Sequence, residues 1–131
     1  MSDLVQQAAP SAHDVEIEVP LQTERAVTVR MVAASLAADA GFSVDEIDDL
    51  RLAISEVFSV LVEASPDGRA RVTFGVAGDE VTATIAQVGG AEPIEIDDLG
   101  ATILRAVVDE FTVEGSTVRL VKVADEAKSS N

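Results

Sequence analysis

One glutamate stands alone among apolar residues in the middle of this chain, and it is the residue best placed to carry chemistry. Glu56 lies in the segment 47–64, which reads IDDLRLAISEVFSVLVEA. A carboxylate in such a setting can act as a general base in proton transfer. The side chain can equally end a network of hydrogen-bonded polar groups, or reach solvent through a gap between the apolar residues of the helix. The sequence offers no partner for a buried acid, so we favour a structural or vestigial role for Glu56.

Arg30 is the second candidate, although a basic residue on a strongly acidic protein is commonly part of a local ion pair. It could contact a partner protein or form a local ion pair with Glu24 or Asp49, and both interpretations remain open. The acidic run 45–49 has the density of a metal site, but such a run more often marks a helix start, whose dipole it stabilises. His13 is the only histidine and cysteine is absent, so we predict neither a metal site nor a catalytic triad.

The helix that positions Glu56 has a clear beginning and end. Ser43, followed three residues later by Glu46, predicts a capping box at its start. The turn 65–68, SPDG, ends it. Between these signals, apolar residues recur at helical spacing and predict a largely buried helix. They are Ile47, Leu50, Ile54, Val57, Phe58 and Leu61, widened by Ala53, Val60 and Val62.

The remaining elements follow from the alternation typical of strands and the spacing typical of helices. The predicted order is strand 13–21, helix 23–40, helix 43–64, hairpin 69–88, a third helix and hairpin 111–123. The third helix is expected to begin at Asp97 or Asp98 and to end near Glu110. Its predicted apolar positions are Leu99, Ile103, Leu104, Val107, Val108 and Phe111.

This order predicts an α+β fold, a two-layer sandwich of one mostly antiparallel sheet with helices on one face. The chain has neither the βαβ alternation nor the glycine fingerprint of a Rossmann domain. We expect a single domain over residues 13–123, with a flexible tail at 1–12 and another at 124–131.

Composition and charge narrow the classes of partner. The chain has 131 residues, 47% of them apolar and 25% charged, which suits one soluble domain with a real core. A net charge of -15, with no Trp or Tyr, argues against nucleic acid, whose phosphates would be repelled. An anionic membrane is disfavoured for the same reason. The charge either steers a basic protein partner or serves only solubility, and both interpretations remain open.

Three features of the sequence favour a cytoplasmic location. Cysteine is absent, which fits a reducing compartment. No apolar run is long enough to span a bilayer, and the first residues lack the basic and apolar regions of a signal peptide. We therefore expect a cytoplasmic protein that does not bind membranes.

Four segments of the chain form a recognisable set in this order. They read VRMVAASLAADAGFS, DDLRLAISEVFSVLVEAS, VTATIAQVGG and LGATILRAVVDEFTVEGSTVRLVKV. Together they resemble the anti-sigma-factor serine kinases of bacterial partner-switching systems, which belong to the GHKL ATPase superfamily. The resemblance covers about residues 13–123 and implies the histidine-kinase-like ATPase fold. It also implies that Arg30 matches an arginine that contacts partners in that family.

The resemblance assigns roles at a nucleotide site, and the residue types depart from them. Glu56 matches the glutamate of the family's N-box helix, but Val60 stands where an asparagine holds Mg²⁺ and phosphates. Valine lacks the oxygen ligand that a hard cation needs. Gln87 stands where an aspartate accepts the adenine amino group. The positions that would contact nucleotide, if ATP binds, are Gly89, Gly100 and Thr117.

Where the family has a long lid over the phosphates, this chain has only residues 90–99. Asp98 stands where the family has the other glycine of the turn that includes Gly100. Phosphoryl transfer depends almost entirely on metal and positioning, so we expect little or no kinase activity. ATP and Mg²⁺ would be cofactors only if another residue compensates. The resemblance then implies a non-enzymatic regulator that holds a sigma factor, a STAS-domain antagonist or both, as a possible homodimer. The alternatives are an active ATP-dependent serine kinase that phosphorylates the antagonist, and a domain that shares only the fold.

Overall fold

The computed structural model describes residues 15–89 and 92–125 of the chain. His13 and the predicted tail 1–12 lie outside these residues. The elements, in chain order, are β1 (Val15–Pro20), a 3₁₀ turn (Thr23–Arg25), α1 (Ala26–Asp39), α2 (Val44–Ala64), β2 (Arg69–Ala77), β3 (Glu80–Gln87), α3 (Asp98–Val107), β4 (Glu110–Glu114) and β5 (Thr117–Val123).

The five strands form one sheet in the order β1-β2-β3-β5-β4, and every neighbouring pair is antiparallel. Every second side chain of the central strands is buried, as the alternation predicts. The helices cover this apolar face: α1 contacts β2 and β3, while α2 contacts β3 and β5. The predicted two-layer α+β sandwich is confirmed, and its sheet is antiparallel throughout.

The helix α2 begins and ends where its local signals predict. Ser43 Oγ accepts from Glu46 N at 3.2 Å, and Glu46 Oε1 accepts from Ser43 N at 2.7 Å, which confirms the capping box. The apolar stripe of the helix packs on the sheet. Its fully buried members are Leu50, Ala53, Ile54, Val57, Phe58 and Leu61, while Ile47, Val60 and Val62 are half-buried.

Helix α3 ends earlier than the apolar spacing predicts. It stops at Val107, because Val108 is extended, with φ of -125° and ψ of 162°. The Asp109 carboxylate then accepts from Val123 N at 2.7 Å, and Phe111 belongs to β4. The predicted end near Glu110 was therefore wrong. The apolar residues keep their helical spacing beyond Val107, but the contact of Asp109 with the distant strand β5 requires an extended backbone there.

The first turn of α3 also differs from the predicted apolar face. Asp97 caps the helix, so Leu99 falls in its first turn and is 70% exposed. One turn later Leu104 is fully buried. The assignment of Leu99 to the buried face was wrong.

Lys122 is a buried cation on the core-facing side of β5. The residue is 5% exposed, and Nζ donates to the backbone oxygen of Val107 at 2.8 Å. Asp49 Oδ2 of α2 lies 3.8 Å from the same nitrogen. Lys122 therefore ties β5 to the end of α3 and to the first half of α2.

The end of β5 is fixed to the domain beyond the predicted boundary. Ala124 is buried and its backbone nitrogen donates to Asp79 O at 3.0 Å. The backbone nitrogen of Asp125 donates to Glu46 Oε2, so the buried Glu46 carboxylate holds both the start of α2 and the exit from β5. Residues 126–131 of the predicted tail lie outside the described part of the chain.

Ion pairs on the open face of the sheet join β1 to β2. Glu18 accepts from Arg69 Nε at 2.7 Å and from Arg71 at 3.3 Å. The hydrogen bond from Arg69 lowers the pKa of the Glu18 carboxyl below its ordinary value of 4.5.

Over residues 15–89 and 92–125, each helix is too short or too polar to cross a membrane.

Candidate functional site

Two of the predicted site residues meet where α3 begins against α2. Glu56 is half-buried on α2, and Gly100 is buried in the first turn of α3. A Cβ added at Gly100 would lie 3.4 Å from Glu56 Oε2 and only 2.9 Å from Cγ2 of Ile96. A side chain at position 100 would therefore collide with Ile96, while its distance to the Glu56 carboxylate would be close to an ordinary contact.

The backbone N–H groups at the start of α3 face carboxylates of the chain itself. Asp97 Oδ1 accepts from Gly100 N at 2.7 Å, which is the N-cap hydrogen bond of the helix. Asp98 adds a second carboxylate in the first turn, and Glu56 lies alongside. At this helix terminus, of a kind that elsewhere can hold a phosphate, the Gly100 N–H group is thus occupied by Asp97, and carboxylates lie beside it.

Val60 lies one turn beyond Glu56 and lines an open groove of about 530 Å³. Across this groove stands Ile94, which is buried and whose backbone nitrogen donates to Gly115 O at 3.0 Å. The rest of the lining is Glu63, Ala64, Pro93 and Glu95. Among residues 15–89 and 92–125, no group of three or more His, Cys, Asp or Glu is arranged to hold a metal ion.

Gln87 ends β3 with a buried acceptor that lacks a hydrogen-bond partner among the described residues. This atom is Oε1 of its side-chain amide. A buried acceptor left unpaired costs about 1–3 kcal/mol, and Oε1 can accept a hydrogen bond from a donor that reaches it. The backbone nitrogen of Gln87 donates to Ser116 O at 3.2 Å, next to the Gly115 oxygen that holds Ile94. Gln87 and Ile94 therefore flank the same turn.

The other predicted nucleotide positions lie around this turn. Gly89 follows β3 with φ of 67°, a left-handed conformation that favours glycine. Thr117 opens β5 and pairs with Ala86 of β3. The structure thus brings Glu56 together with Gly100, and it brings Gln87 to the turn that precedes Thr117.

Arg30 reaches across from α1 to α2 rather than pairing with an acid. Its Nη1 donates to Ser55 Oγ at 3.1 Å, next to Glu56 in the chain. None of the ion pairs within the described residues includes Arg30, and Asp49 pairs with Lys122 instead. The alternative of an ion pair with Glu24 or Asp49 is therefore wrong, and the guanidinium is held at the α1–α2 seam.

Exposed apolar side chains surround Arg30, and the sequence analysis did not identify them. Val27 and Met31 lie one turn apart on α1, on either side of Arg30, and Met31 is 68% exposed. Leu52, one turn before Glu56 on α2, is also exposed. The available signal was the spacing of Val27 and Met31, which fall outside the buried stripe of their helix. We call Val27, Arg30, Met31 and Leu52 the α1 surface.

The fold and this site define a class: a domain of the GHKL ATPase type. Residues 19–122 match the family model described as "Histidine kinase-like ATPase domain", and the chain belongs to this family. The resemblance seen in the four sequence segments is confirmed.

Individual relatives are serine-protein kinases named RsbW. The chain is 27% identical to the RsbW of Bacillus subtilis strain 168 over 128 residues, which cover 92% of this chain and 80% of that protein. It is 28% identical to the RsbW of Bacillus licheniformis over 127 residues, covering 90% and 78%.

A solved structure carries the same fold. It is the crystal structure of the RsbU and RsbW domains of Rv1364c from Mycobacterium tuberculosis, with a TM-score of 0.63 and 22% identity. The match covers 88% of this chain and 32% of the other, so the chain spans about a third of that longer protein. At this identity the likeness shows the fold alone.

Proposed function

We propose that this protein is a partner-switching regulator that acts by binding proteins and does not transfer phosphate. Its partners would be a sigma factor, a STAS-domain antagonist or both, in the cytoplasm. Membership of the histidine kinase-like ATPase family and the likeness to RsbW kinases support this class of role. The observation that carries the non-enzymatic part is the groove beside Val60.

The groove beside Val60 fits a magnesium–triphosphate group poorly. Val60 supplies no oxygen ligand where the family places its asparagine, and the buried Ile94 closes the other side. Glu63 and Glu95 add negative charge to the same walls, which opposes an incoming polyphosphate. Positioning of metal and phosphate is most of what catalyses phosphoryl transfer, so the reaction should be lost rather than slowed.

The start of α3 supports the same conclusion. In an anion site, free backbone N–H groups at a helix terminus point at the phosphate. Here the Asp97 carboxylate accepts from Gly100 N, and Asp98 lies in the same turn. A phosphate would have to displace one carboxylate and approach another.

The α1 surface supports binding of a protein partner. An arginine held in one orientation loses little conformational freedom on binding, and Ser55 holds Arg30 in this way. Exposed apolar side chains beside a fixed arginine are typical of the residues that dominate protein interfaces. Val27, Met31 and Leu52 provide them around Arg30.

An ATP-dependent serine kinase that phosphorylates its antagonist is the second candidate. Two observations favour it: Glu56 lies against Gly100, as a general base near a phosphate-binding turn would, and Gln87 has an unpaired buried acceptor. That acceptor could take a hydrogen bond from the adenine amino group. The relatives' name as serine-protein kinases favours it too.

Binding to purified sigma factors and STAS-domain proteins from the protein's own genome tests the proposal. We expect at least one to bind, and Arg30→Ala or Met31→Asp to weaken that binding by about tenfold or more, because both change the α1 surface. Arg25→Ala is the matched control, since Arg25 is exposed in the 3₁₀ turn just before α1, and its effect should stay within about twofold. If none of these proteins binds, the proposed function is wrong.

A further inference from the structure

A second groove, of about 780 Å³, lies between α3, β4 and the segment that precedes α3. Ile96, Phe111 and Val113 supply apolar surface to it. Glu95, Asp97 and Asp98 supply carboxylates. We call this the β4 groove; its volume is in the range of sites that hold a ligand or a row of peptide side chains.

One wall of the β4 groove is a free sheet edge. β4 pairs with β5 on one side and ends the sheet order, so within residues 15–89 and 92–125 its other side carries unpaired backbone N–H and C=O groups. Such an edge accepts an added strand from another chain, and alternate side chains of that strand then enter neighbouring pockets. Phe111 and Val113 lie both on β4 and in the groove. An added strand would therefore direct one row of side chains into the groove.

The charges around this edge select the occupant. Among the described residues that line the groove, Arg105 is the one cation, and its guanidinium carbon lies 6.0 Å from the centroid of the Phe111 ring. On the opposite face of β4, Glu110 and Glu114 are exposed, and Glu110 is 3.9 Å from Arg119. A strand added to β4 would thus meet carboxylates on both of its faces. We propose that the β4 groove binds an extended, basic segment of a partner protein, which pairs with the free edge of β4.

A second copy of this chain suits the edge poorly. If two β4 edges paired antiparallel about Thr112, Glu110 of each copy would face Glu114 of the other, and like charges directly opposite are destabilising. Each copy also carries a net charge of -15. The edge therefore favours a positively charged chain. This preference does not depend on whether a partner protein also binds the α1 surface.

Titration of the full-length ¹⁵N-labelled protein with a basic strand-forming peptide tests this inference. The probe is a peptide of about eight residues that alternates lysine and valine, a length typical of one strand. We expect amide shifts concentrated in residues 94–98 and 110–114, and weaker binding as sodium chloride is raised. The same peptide N-methylated at alternate residues keeps its charge but cannot pair with a strand, and it should not bind. A peptide that alternates glutamate and valine should not bind either.

Two double variants that remove the same amount of negative charge from different places show where the peptide binds. Glu95→Gln combined with Asp98→Asn should weaken binding of the lysine–valine peptide about fivefold. Glu24→Gln combined with Asp39→Asn removes the same charge from exposed positions near α1, and it should change binding less than twofold. Arg30→Ala should leave peptide binding unchanged, which separates this test from the test of the proposed function. The unfolding midpoint of each variant checks that it is folded.

Three results would each overturn the inference. Equal binding of the N-methylated peptide would mean that charge alone, without strand addition, attracts it. Equal effects of the two double variants would mean that the peptide spreads over the whole acidic surface. Amide shifts in β4 that depend on protein concentration without any peptide would make a second copy the occupant.

Discussion

At Gly100, the absence of a side chain leaves room for Ile96 at the start of α3, beside Glu56 of α2. This contact places the two family-matched residues together, although 43 positions separate them in the chain. The sequence identified both residues by their motifs and offered Asp97 or Asp98 as the start of α3, but it could not show that Gly100 would lie beside Glu56 of another helix. Arg30 illustrates the same limit, because its partner Ser55 is 25 residues away and has no pattern that marks it. At this scale, sequence predicts residue types and their motifs, whereas pairings between helices arise from packing.

The Gly100→Ala substitution should destabilise the protein by about 1 kcal/mol. Alanine usually stabilises a helix relative to glycine, but here its Cβ would lie 2.9 Å from Ile96 Cγ2 and 3.2 Å from Asp97 Oδ1. Urea unfolding measures the change. In an Ile96→Ala background, which removes the Cγ2 atom, the same substitution should be less harmful. Stabilisation in both backgrounds would show that Gly100 behaves as an ordinary helical glycine.

At the scale of helices and strands, the sequence predicted correctly those boundaries that contacts between neighbouring residues determine. The capping box of Ser43 and Glu46 was predicted because both partners lie within one turn. The end of α3 was predicted wrongly because Asp109 pairs with Val123 of β5, a contact that helical spacing cannot show. Lys122 was overlooked for a related reason: a lysine in an alternating strand normally marks the solvent face. Its burial is explained by the Val107 oxygen, which only the folded chain brings within reach.

The Lys122→Met substitution should destabilise the protein by about 1–3 kcal/mol, because the Val107 oxygen would lose its hydrogen-bond donor. Asp49→Asn should cost less than about 1 kcal/mol, since Asp49 is partly exposed and 3.8 Å from the ammonium. Arg119→Met, on the exposed face of the same strand, is the matched control and should be nearly neutral. Urea unfolding compares the three. A neutral Lys122→Met variant would contradict the role of Lys122 as a link between β5 and α3.

Over the whole molecule, the dominant feature is a net charge of -15 on 131 residues. The few ion pairs lie mostly at exposed positions on the sheet and helix surfaces, where each contributes little to stability. We therefore expect net self-repulsion to outweigh these local attractions. The same charge sets the kind of partner that approaches quickly, because it steers basic surfaces toward the protein.

The urea midpoint should rise as sodium chloride is added, because salt shortens the Debye length from about 30 Å at 0.01 M to about 8 Å at 0.15 M and screens self-repulsion. Urea is uncharged, so it does not screen charge itself. Chloride is preferred to sulfate, which strengthens hydrophobic burial by a separate effect. A midpoint that falls with salt would show that attractive pairs, such as Arg69 with Glu18, outweigh the net repulsion.

The claim that this domain binds partners without using ATP is tested most directly by calorimetry of Mg–ATP binding to the purified protein. We expect no heat of binding at millimolar nucleotide, because Val60, Glu63 and Glu95 line the groove and Asp97 occupies the start of α3. Val60→Asn combined with Gln87→Asp, which restores the family's residue types, is the informative companion variant. Micromolar binding to the unmodified protein would contradict the claim and would favour the kinase, with Glu56 as the first residue to substitute.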